Sequence, residues 1–415
     1  MEKDKHYKIG KEIVRKLQEN HFTAYFAGGW VRDFLMKKPS DDIDIATDAT
    51  PELVQQIFSK TIPVGIAFGI IIVVEDDHQF EIATFRRDKG YEDGRRPIGI
   101  ELADPKEDAL RRDFTINGMF YDPIKEKIFD FVGGKEDLQK GIIRAIGNPE
   151  ERFMEDRLRM IRAVRYSSRF HFTIEQDTLQ AIKDQAHYLF PSVAIERVWQ
   201  EFQKMSQFSH FDIALIQLHR LRLLGQIFPD LKDAPVEEIR HRLLFLPDFP
   251  KGTPVIAKVL ELFPSYSLQE KLELCEYLKL SNKDKNFVTF WHHAQKFLKM
   301  DPESAKNLQP YDWAKFYAHE HSDLCLKIMQ AKIPKKRQNE FYAAHNSRKD
   351  LLQPFIWRIR HNKPAVTAKH LIAEGIQPGK KMGNLLKEAE RLSVNHSIED
   401  AKKVIELLKS SSYWQ

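Results

Sequence analysis

The residues best suited to chemistry in this chain are two aspartates at i,i+2, Asp42 and Asp44, which follow the glycine pair Gly28-Gly29. On an extended strand, residues two apart point the same way, so the spacing predicts that Asp42 and Asp44 share one face. Two carboxylates on one face repel unless a cation sits between them. Hard oxygen ligands with phosphate nearby imply Mg²⁺. A glycine pair between a strand and a helix leaves bare backbone N–H groups at the helix start, where anions bind well. Alone, a Gly-Gly is an ordinary turn and an Asp-x-Asp an ordinary strand end; their order and spacing together point to a site.

A second constellation is Glu155-Asp156-Arg157-Leu158-Arg159, continuing to Arg162 and Arg165. On a continuous helix Asp156 and Arg159 are i,i+3 neighbours, and an exposed salt bridge is one reading of them. Hydrogen-bond chemistry supplies another. Cytosine and adenine both carry an exocyclic NH₂ donor beside a ring-nitrogen acceptor. An ionised Asp only accepts and an Arg only donates, so one Asp–Arg pair suits the edge of C or A. Guanine and uracil invert the pattern and leave buried polar groups unpaired, at about 1–3 kcal/mol each. A third cluster, Arg111-Arg112-Asp113, runs into Phe114-Thr115-Ile116-Asn117. Arg suits phosphate through its two-pronged fork, and Asp accepts from a ribose hydroxyl.

The elements that must position these groups fall in the first 150 or so residues. Strands are expected at Ala24–Ala27, Ile43–Ala46, Gly69–Val74, Gln79–Phe85, Ile116–Tyr121 and Lys127–Phe131. On the fourth of these, Glu81 alternates with Phe80 and Ile82 and so faces away from them. Helices are expected at Ile9–Gln18, Val31–Met36, Pro51–Phe58 and Pro105–Arg111, with Thr50 as an N-cap. The segment Arg86–Pro97 is charged, lacks periodicity and reads as a solvated loop. Beyond Gly147 helical periodicity takes over. Helices are expected at Glu150–Phe170, Gln176–Gln185, Ser192–Met205 (capped by Ser192), Phe211–Leu223, Val236–Leu246 and onward, with breaks near Pro191, Pro229, Pro302, Pro334 and Pro364.

The chain has 415 residues, 42% hydrophobic and 30% charged, with a net charge of +5. That is an ordinary globular balance, long enough for about two to four domains, and its mild basicity permits a nucleic-acid partner. Cys275 and Cys325 form no Cys-x-x-Cys pair, so neither a disulfide framework nor a cysteine zinc site is expected. The N-terminal residues lack an apolar signal core, and no apolar run approaches the ~20 residues that span a bilayer. A cytoplasmic protein is expected.

Taken together and in this order, the motifs resemble the DNA polymerase β-like nucleotidyltransferase superfamily. More narrowly they are similar to the class II tRNA nucleotidyltransferases, the CCA-adding enzymes, with bacterial poly(A) polymerases as close kin. The resemblance implies an α+β fold: a mixed-sheet nucleotidyltransferase head (1–148), then an elongated all-α neck (149–206), body (207–340) and tail (341–415). It implies Asp42 and Asp44 as catalytic Mg²⁺ ligands, with Glu81 as a third carboxylate. It assigns Gly28, Gly29, Arg32, Asp33, Arg112, Asp113 and Asn117 to nucleotide binding. Glu155, Asp156, Arg159, Arg162 and Arg165 join them, with Asp156 and Arg159 choosing the base. Glu196 and Arg197, in a motif from Ser192 to Phe202, would brace the base-selecting helix. Gly133-Gly134 would serve as a joint, and Gly379, Lys380, Lys381 and Gly383 would meet RNA. The implied substrates are CTP, ATP and the tRNA 3′ end, with no membrane or protein partner. A loop at Arg86–Pro97 implies addition of the terminal A. The chain departs from the family at Ile70, where relatives usually carry Thr, with no catalytic loss expected. An A-adding enzyme, a poly(A) polymerase and a non-catalytic RNA-binding protein are the alternatives.

Overall fold

A computed structural model describes residues 2–91, 97–299 and 308–414. Contacts divide the chain into two compact units, Met1–His241 and Arg242–Gln415.

The first unit opens with α1 (Glu2–Glu19), β1 (Ala24–Ala27), α2 (Gly29–Leu35), β2 (Asp44–Thr47) and α3 (Pro51–Ile57). Then come β3 (Thr61–Gly65), β4 (Ile70–Glu75), β5 (His78–Thr84), β6 (Arg86–Tyr91), β7 (Pro97–Leu102) and α4 (Pro105–Leu110). The mixed region ends with β8 (Met119–Asp122), β9 (Lys127–Asp130), α5 (Gly134–Lys140) and β10 (Ile142–Ile143). Seven strands form one sheet in the order β3-β4-β5-β2-β1-β8-β9. Only the β2–β5 pair is parallel within it. One face carries the main core, where Val14, Leu17, Phe26, Val31, Ile45, Val73 and Phe80 exclude water between helices and sheet. A smaller cluster of Ala27, Ala46, Phe85, Ala109 and Phe120 is separate from it.

Three expectations needed correction here. Strand β3 was missed: Pro63 removes a ladder donor, which only an edge strand tolerates. The segment read as a loop is an antiparallel hairpin, β6–β7, with Arg87 bonded to Glu101 (2.8 Å) and Glu107 (3.1 Å) near its base. Its tip, Glu92 to Arg96, lies outside the described residues. Ile116 is not strand: residues Thr115–Asn117 make one 3₁₀ turn ahead of β8.

The helical part of the first unit includes α6 (Pro149–Glu155), α7 (Leu158–Phe170), the short β11 (Thr173–Ile174), α8 (Gln176–Gln185), α9 (Ile195–Ser206) and α10 (Phe211–Arg220). The expected single helix Glu150–Phe170 is broken at Asp156, which is extended (φ −150°, ψ 102°). Ser192 does not cap α9; Ala194 stands at that position without a side-chain cap. The helices expected at Phe211–Leu223 and Val236–Leu246 end earlier, at Arg220 and Arg242.

The second unit is helical in its described residues, from Val255–Val259 to Ala401–Lys409. Its longest helix, Lys335–Arg360, accommodates Pro354 in its interior and starts after Pro334. Pro302 falls outside the described residues. Val366, Leu371, Leu385, Ala389, Val404 and Leu408 form a core near its C-terminal end. No described helix is long and apolar enough to cross a membrane.

Candidate active site

Register brings the acidic residues together. Ala27 pairs with Asp44, and the parallel pairing of Ile45 with Ile82 sets Asp44 beside Glu81 on the same face. Strand β2 begins at Asp44, so Asp42 stands on the approach to the strand rather than inside it. It is close enough to matter. Burial first, then the Asp42 and Glu81 charges, push the Asp44 carboxyl up to about 7, with Arg112 opposing. Desolvation and Asp42 also raise Glu81, against Arg86. Such mutual repulsion among oxygen donors is what a hard divalent cation relieves. Among the described residues no group of three or more His, Cys, Asp or Glu side chains is placed to hold a metal ion.

The glycine turn lies at the end of β1. Gly28 has φ +66°, its N–H donates to the Met119 carbonyl (3.2 Å), and its carbonyl accepts from Arg32 N–H (3.3 Å). A Cβ at Gly28 would stand 3.1 Å from Arg112 Nη1. The positive φ favours glycine here, and a Cβ would also make this guanidinium give way by a few tenths of an ångström. Arg112 lies over the Phe120 ring at 4.9 Å. Asp108, 1% exposed, holds it at 3.1 and 3.0 Å and holds Arg111 at 2.9 and 2.6 Å. Burial alone would raise Asp108, but the Arg112 and Arg111 charges bring it below the usual carboxylate range. Asp108 escaped the sequence reading. Its i,i+3 and i,i+4 spacing to the two arginines was the available signal.

Other residues expected to bind nucleotide are turned into a buried network. Arg32, 3% exposed, donates to Asp33 (2.9 Å) and Asn117 (2.6 Å) and stacks on Phe170. Asn117 donates to Asp113 (3.1 Å), which also accepts from Phe114 N–H (2.8 Å) and pairs with Arg162 (2.6 Å). Burial raises Asp113, yet Arg162, the Asn117 hydrogen bond and Arg159 bring it net downward. Asp113 is thus directed at protein partners rather than open for a ribose. Arg165 pairs with buried Glu201 (2.5 Å) and lies 4.1 Å over Tyr166. Glu201 was also missed; it sits 36 residues away in sequence.

The pair expected to select the base departs most from expectation. Because the helix breaks, Asp156 and Arg159 are not i,i+3 partners on one helix. Asp156 accepts from Leu158 N–H (3.1 Å) and from Arg197 at 3.2 and 2.8 Å, which is the bracing expected of Arg197. Arg159 donates to Glu155 (2.5 Å) and to the carbonyls of Arg152 (2.9 Å) and Arg111 (3.2 Å). Glu155 also holds Arg152 (2.9 Å), so its carboxylate orients two arginines. The start of α7 is therefore tied to the Arg111–Asp113 segment, whose middle member faces Gly28 and Asp44.

Two further groups lie elsewhere. The Gly133-Gly134 turn, expected as a joint, is held by Asp130, which accepts from Val132, Gly134 and Lys135 N–H groups; a Cβ at Gly134 would collide with the Thr115 carbonyl. Gly379, Lys380, Lys381 and Gly383 are exposed around the start of the helix Lys380–Asn395, in the second unit.

Residues 24–144 match the family described as Poly A polymerase head domain, and residues 171–234 match the probable RNA and SrmB-binding site of polymerase A. A CCA-adding enzyme of Ligilactobacillus salivarius is 34% identical over 416 residues, covering 96% of this chain and 97% of that one. The enzyme of Bacillus cytotoxicus is 44% identical over 202 residues, 48% of this chain and 50% of its own. The crystal structure of the Bacillus stearothermophilus CCA-adding enzyme in complex with CTP superposes with a TM-score of 0.78 at 27% identity, over 98% of each chain. The Thermotoga maritima CCA-adding enzyme complexed with tRNA shares the fold, with a TM-score of 0.67 at 20% identity over 97% of this chain and 94% of that one. With sequence similarity running nearly end to end and the same architecture, this chain belongs to the family of CCA-adding enzymes.

Proposed function

We infer that this protein adds C, C and A to the 3′ end of tRNA from CTP and ATP, releasing pyrophosphate, without a nucleic-acid template. The observation that carries the reading is the link between two chemistries. Arg159 donates to the Arg111 carbonyl and Arg162 holds Asp113, while Arg112 between them faces Gly28 and Asp44. A base-reading edge and an acidic face are thus joined through three consecutive residues.

Asp42 and Asp44 would hold Mg²⁺, with Glu81 as the neighbouring third carboxylate. When bound, a pair of such ions lowers the pKa of an attacking 3′-hydroxyl and neutralises charge on the departing pyrophosphate. The chain's own groups do the rest. The Gly28-Gly29 turn and Arg112 receive the triphosphate. Asp156 accepts the exocyclic amine of C or A, and Arg159 donates to the ring nitrogen. Arg197 and Glu155 fix the directions of those two side chains. Arg32, Asp33, Asn117, Asp113, Arg162 and Arg165 form the buried frame that keeps the turn and α7 in place. We also propose the division into head (1–148), neck (149–206), body (207–340) and tail (341–415), with Gly379, Lys380, Lys381 and Gly383 meeting the RNA backbone and the protein working in the cytoplasm.

Purified protein with Mg²⁺ should extend a tRNA lacking its CCA end with CTP and ATP but not with GTP or UTP. Equal use of all four nucleotides would overturn the base-reading assignment.

A further inference from the structure

The sheet face that carries the acids also carries an apolar strip. Pairing sets Ile62 opposite Ile72, Ile72 opposite Glu81, and Asp44 opposite Ala27. With Glu81 beside Asp44, one row crosses the strands β3, β4, β5, β2 and β1 on a single face: Ile62, Ile72, Glu81, Asp44, Ala27. The next row on that face holds Gly65, Ile70, Ala83 and Ala46. Ile71 and Val73 point the other way, into the main core, to which neither Ile70 nor Ile72 belongs. Ile62 is 40% exposed, and Ile70, Ile72 and Ala83 are half-buried. Isoleucine open to water therefore runs from Glu81 to the edge of the sheet, and a contiguous apolar surface of this kind marks a place where something docks. At its border Arg86 donates to the Phe68 carbonyl and lies close enough to Glu81 to act on its charge.

The acids divide the face into two unlike sides. On the β1–β8 side stand the Gly28 turn and Arg112, the groups assigned to the triphosphate, with Arg112 over Phe120. On the β5–β4–β3 side stand the isoleucines. In nucleotidyl transfer the entering and leaving oxygens lie roughly in line: the 3′-oxygen bonds to the α-phosphorus as the bond to pyrophosphate breaks. With pyrophosphate leaving towards Gly28 and Arg112, the attacking hydroxyl comes in from the side of Glu81, across the apolar strip. Resting on that reading of the reaction, we propose that Ile72, Ile70 and Ile62 form a shelf that seats the 3′-terminal nucleoside of the tRNA, with Arg86 towards the phosphate behind it. The shelf suits this occupant. The terminal base differs from one addition to the next, and contact with a base face, without hydrogen-bond readout, accepts each in turn.

The test compares wild type with the double variant Ile62→Ser/Ile72→Ser in single-turnover addition of C to a tRNA lacking its CCA end. CTP binding is measured separately, by calorimetry without tRNA. The rate at saturating CTP and tRNA should fall by about ten-fold or more, as expected for a misplaced nucleophile, while CTP affinity stays at the wild-type value. Ile72→Val should keep most of the rate. Wild-type rates in the double variant overturn the proposal. So does a fall in CTP affinity that matches the loss of rate, which would assign the strip to the nucleotide. Because the serine variants could loosen the strands, a second measurement uses wild-type protein with CTP bound and a tRNA whose 3′-terminal nucleoside is photoreactive and lacks its 3′-hydroxyl. Crosslinks should fall within residues 61–75; crosslinks confined to other segments overturn the shelf. Failure of the wild type to extend tRNA at all would instead overturn the reading of the reaction itself, a different result from extension that ignores the strip.

Discussion

Asp156 takes hydrogen bonds from both terminal nitrogens of Arg197, at 3.2 and 2.8 Å, across a gap of 41 residues. If Asp156 reads the incoming base as proposed, that pairing makes Arg197 its positioning residue. An Arg197→Gln variant should still bind nucleotide but choose it less well. Discrimination between CTP and UTP should fall by about ten-fold or more, in line with the 1–3 kcal/mol of an unpaired buried group. Competition kinetics on a tRNA lacking its CCA end measure this directly. Unchanged selectivity would mean that Asp156 does not need its brace.

Asp44 is the residue on which the acidic face converges. Asp44→Asn and Asp42→Ala should each reduce nucleotide transfer by at least about 10³-fold, the scale of losing a group that stabilises transition-state charge. Thermal unfolding should stay within a few degrees of wild type, because neither side chain belongs to the apolar core. Single-turnover incorporation together with a melting curve separates the two effects. Near-normal transfer by Asp44→Asn would remove it from the metal site.

Gly28 combines a left-handed backbone with a close guanidinium. Gly28→Ala should destabilise the protein by about 1–3 kcal/mol through backbone strain alone. It should also push Arg112 off Phe120, so KM for CTP and ATP should rise. Urea unfolding and steady-state kinetics read the two consequences; a variant with wild-type stability and KM would show that the turn is more tolerant than its geometry implies.

His345, in the second unit, accepts from or donates to Tyr317 Oη at 2.7 Å and packs near Trp313 and Phe341. Burial first, then Arg348 and Lys349, lower its pKa to about 4. The unfolded chain, near 6.5, binds the proton more readily. Its stabilising contribution is therefore full above pH ~6.5 and declines as pH falls towards about 4. Between pH 7.5 and 5 the loss should be at most about 2 kcal/mol. Urea midpoints for wild type and His345→Gln should converge towards pH 5. An identical pH dependence in both would exclude His345 as a source.

Much of the head and neck was legible because the punctuation there is strong. The strand Ala24–Ala27 ends at a glycine pair, and the helix Gln176–Gln185 follows a clear periodic pattern; both match the structure. The break at Asp156 was hidden. No Gly or Pro marks it, and the apolar period runs on from Phe153 to Ile161. It is held by a side chain from another helix and by the Asp156 cap on Leu158 N–H. The inward direction of Asp113 and Arg165 was hidden for the same reason, since Arg162 and Glu201 become their partners only once the helices pack. The motifs mark a set of candidate residues; which of them would face a nucleotide and which hold the frame depends on tertiary contacts.

Ordered addition of C, C and A by one protein can be followed by single-nucleotide mapping of products on three tRNAs, ending at the position before CCA, at C and at CC, with CTP and ATP present. All three should converge on one product ending in CCA, and extension should then stop. Incorporation of A onto the CC end alone, or continued growth of an A tail on any of the three, would contradict it.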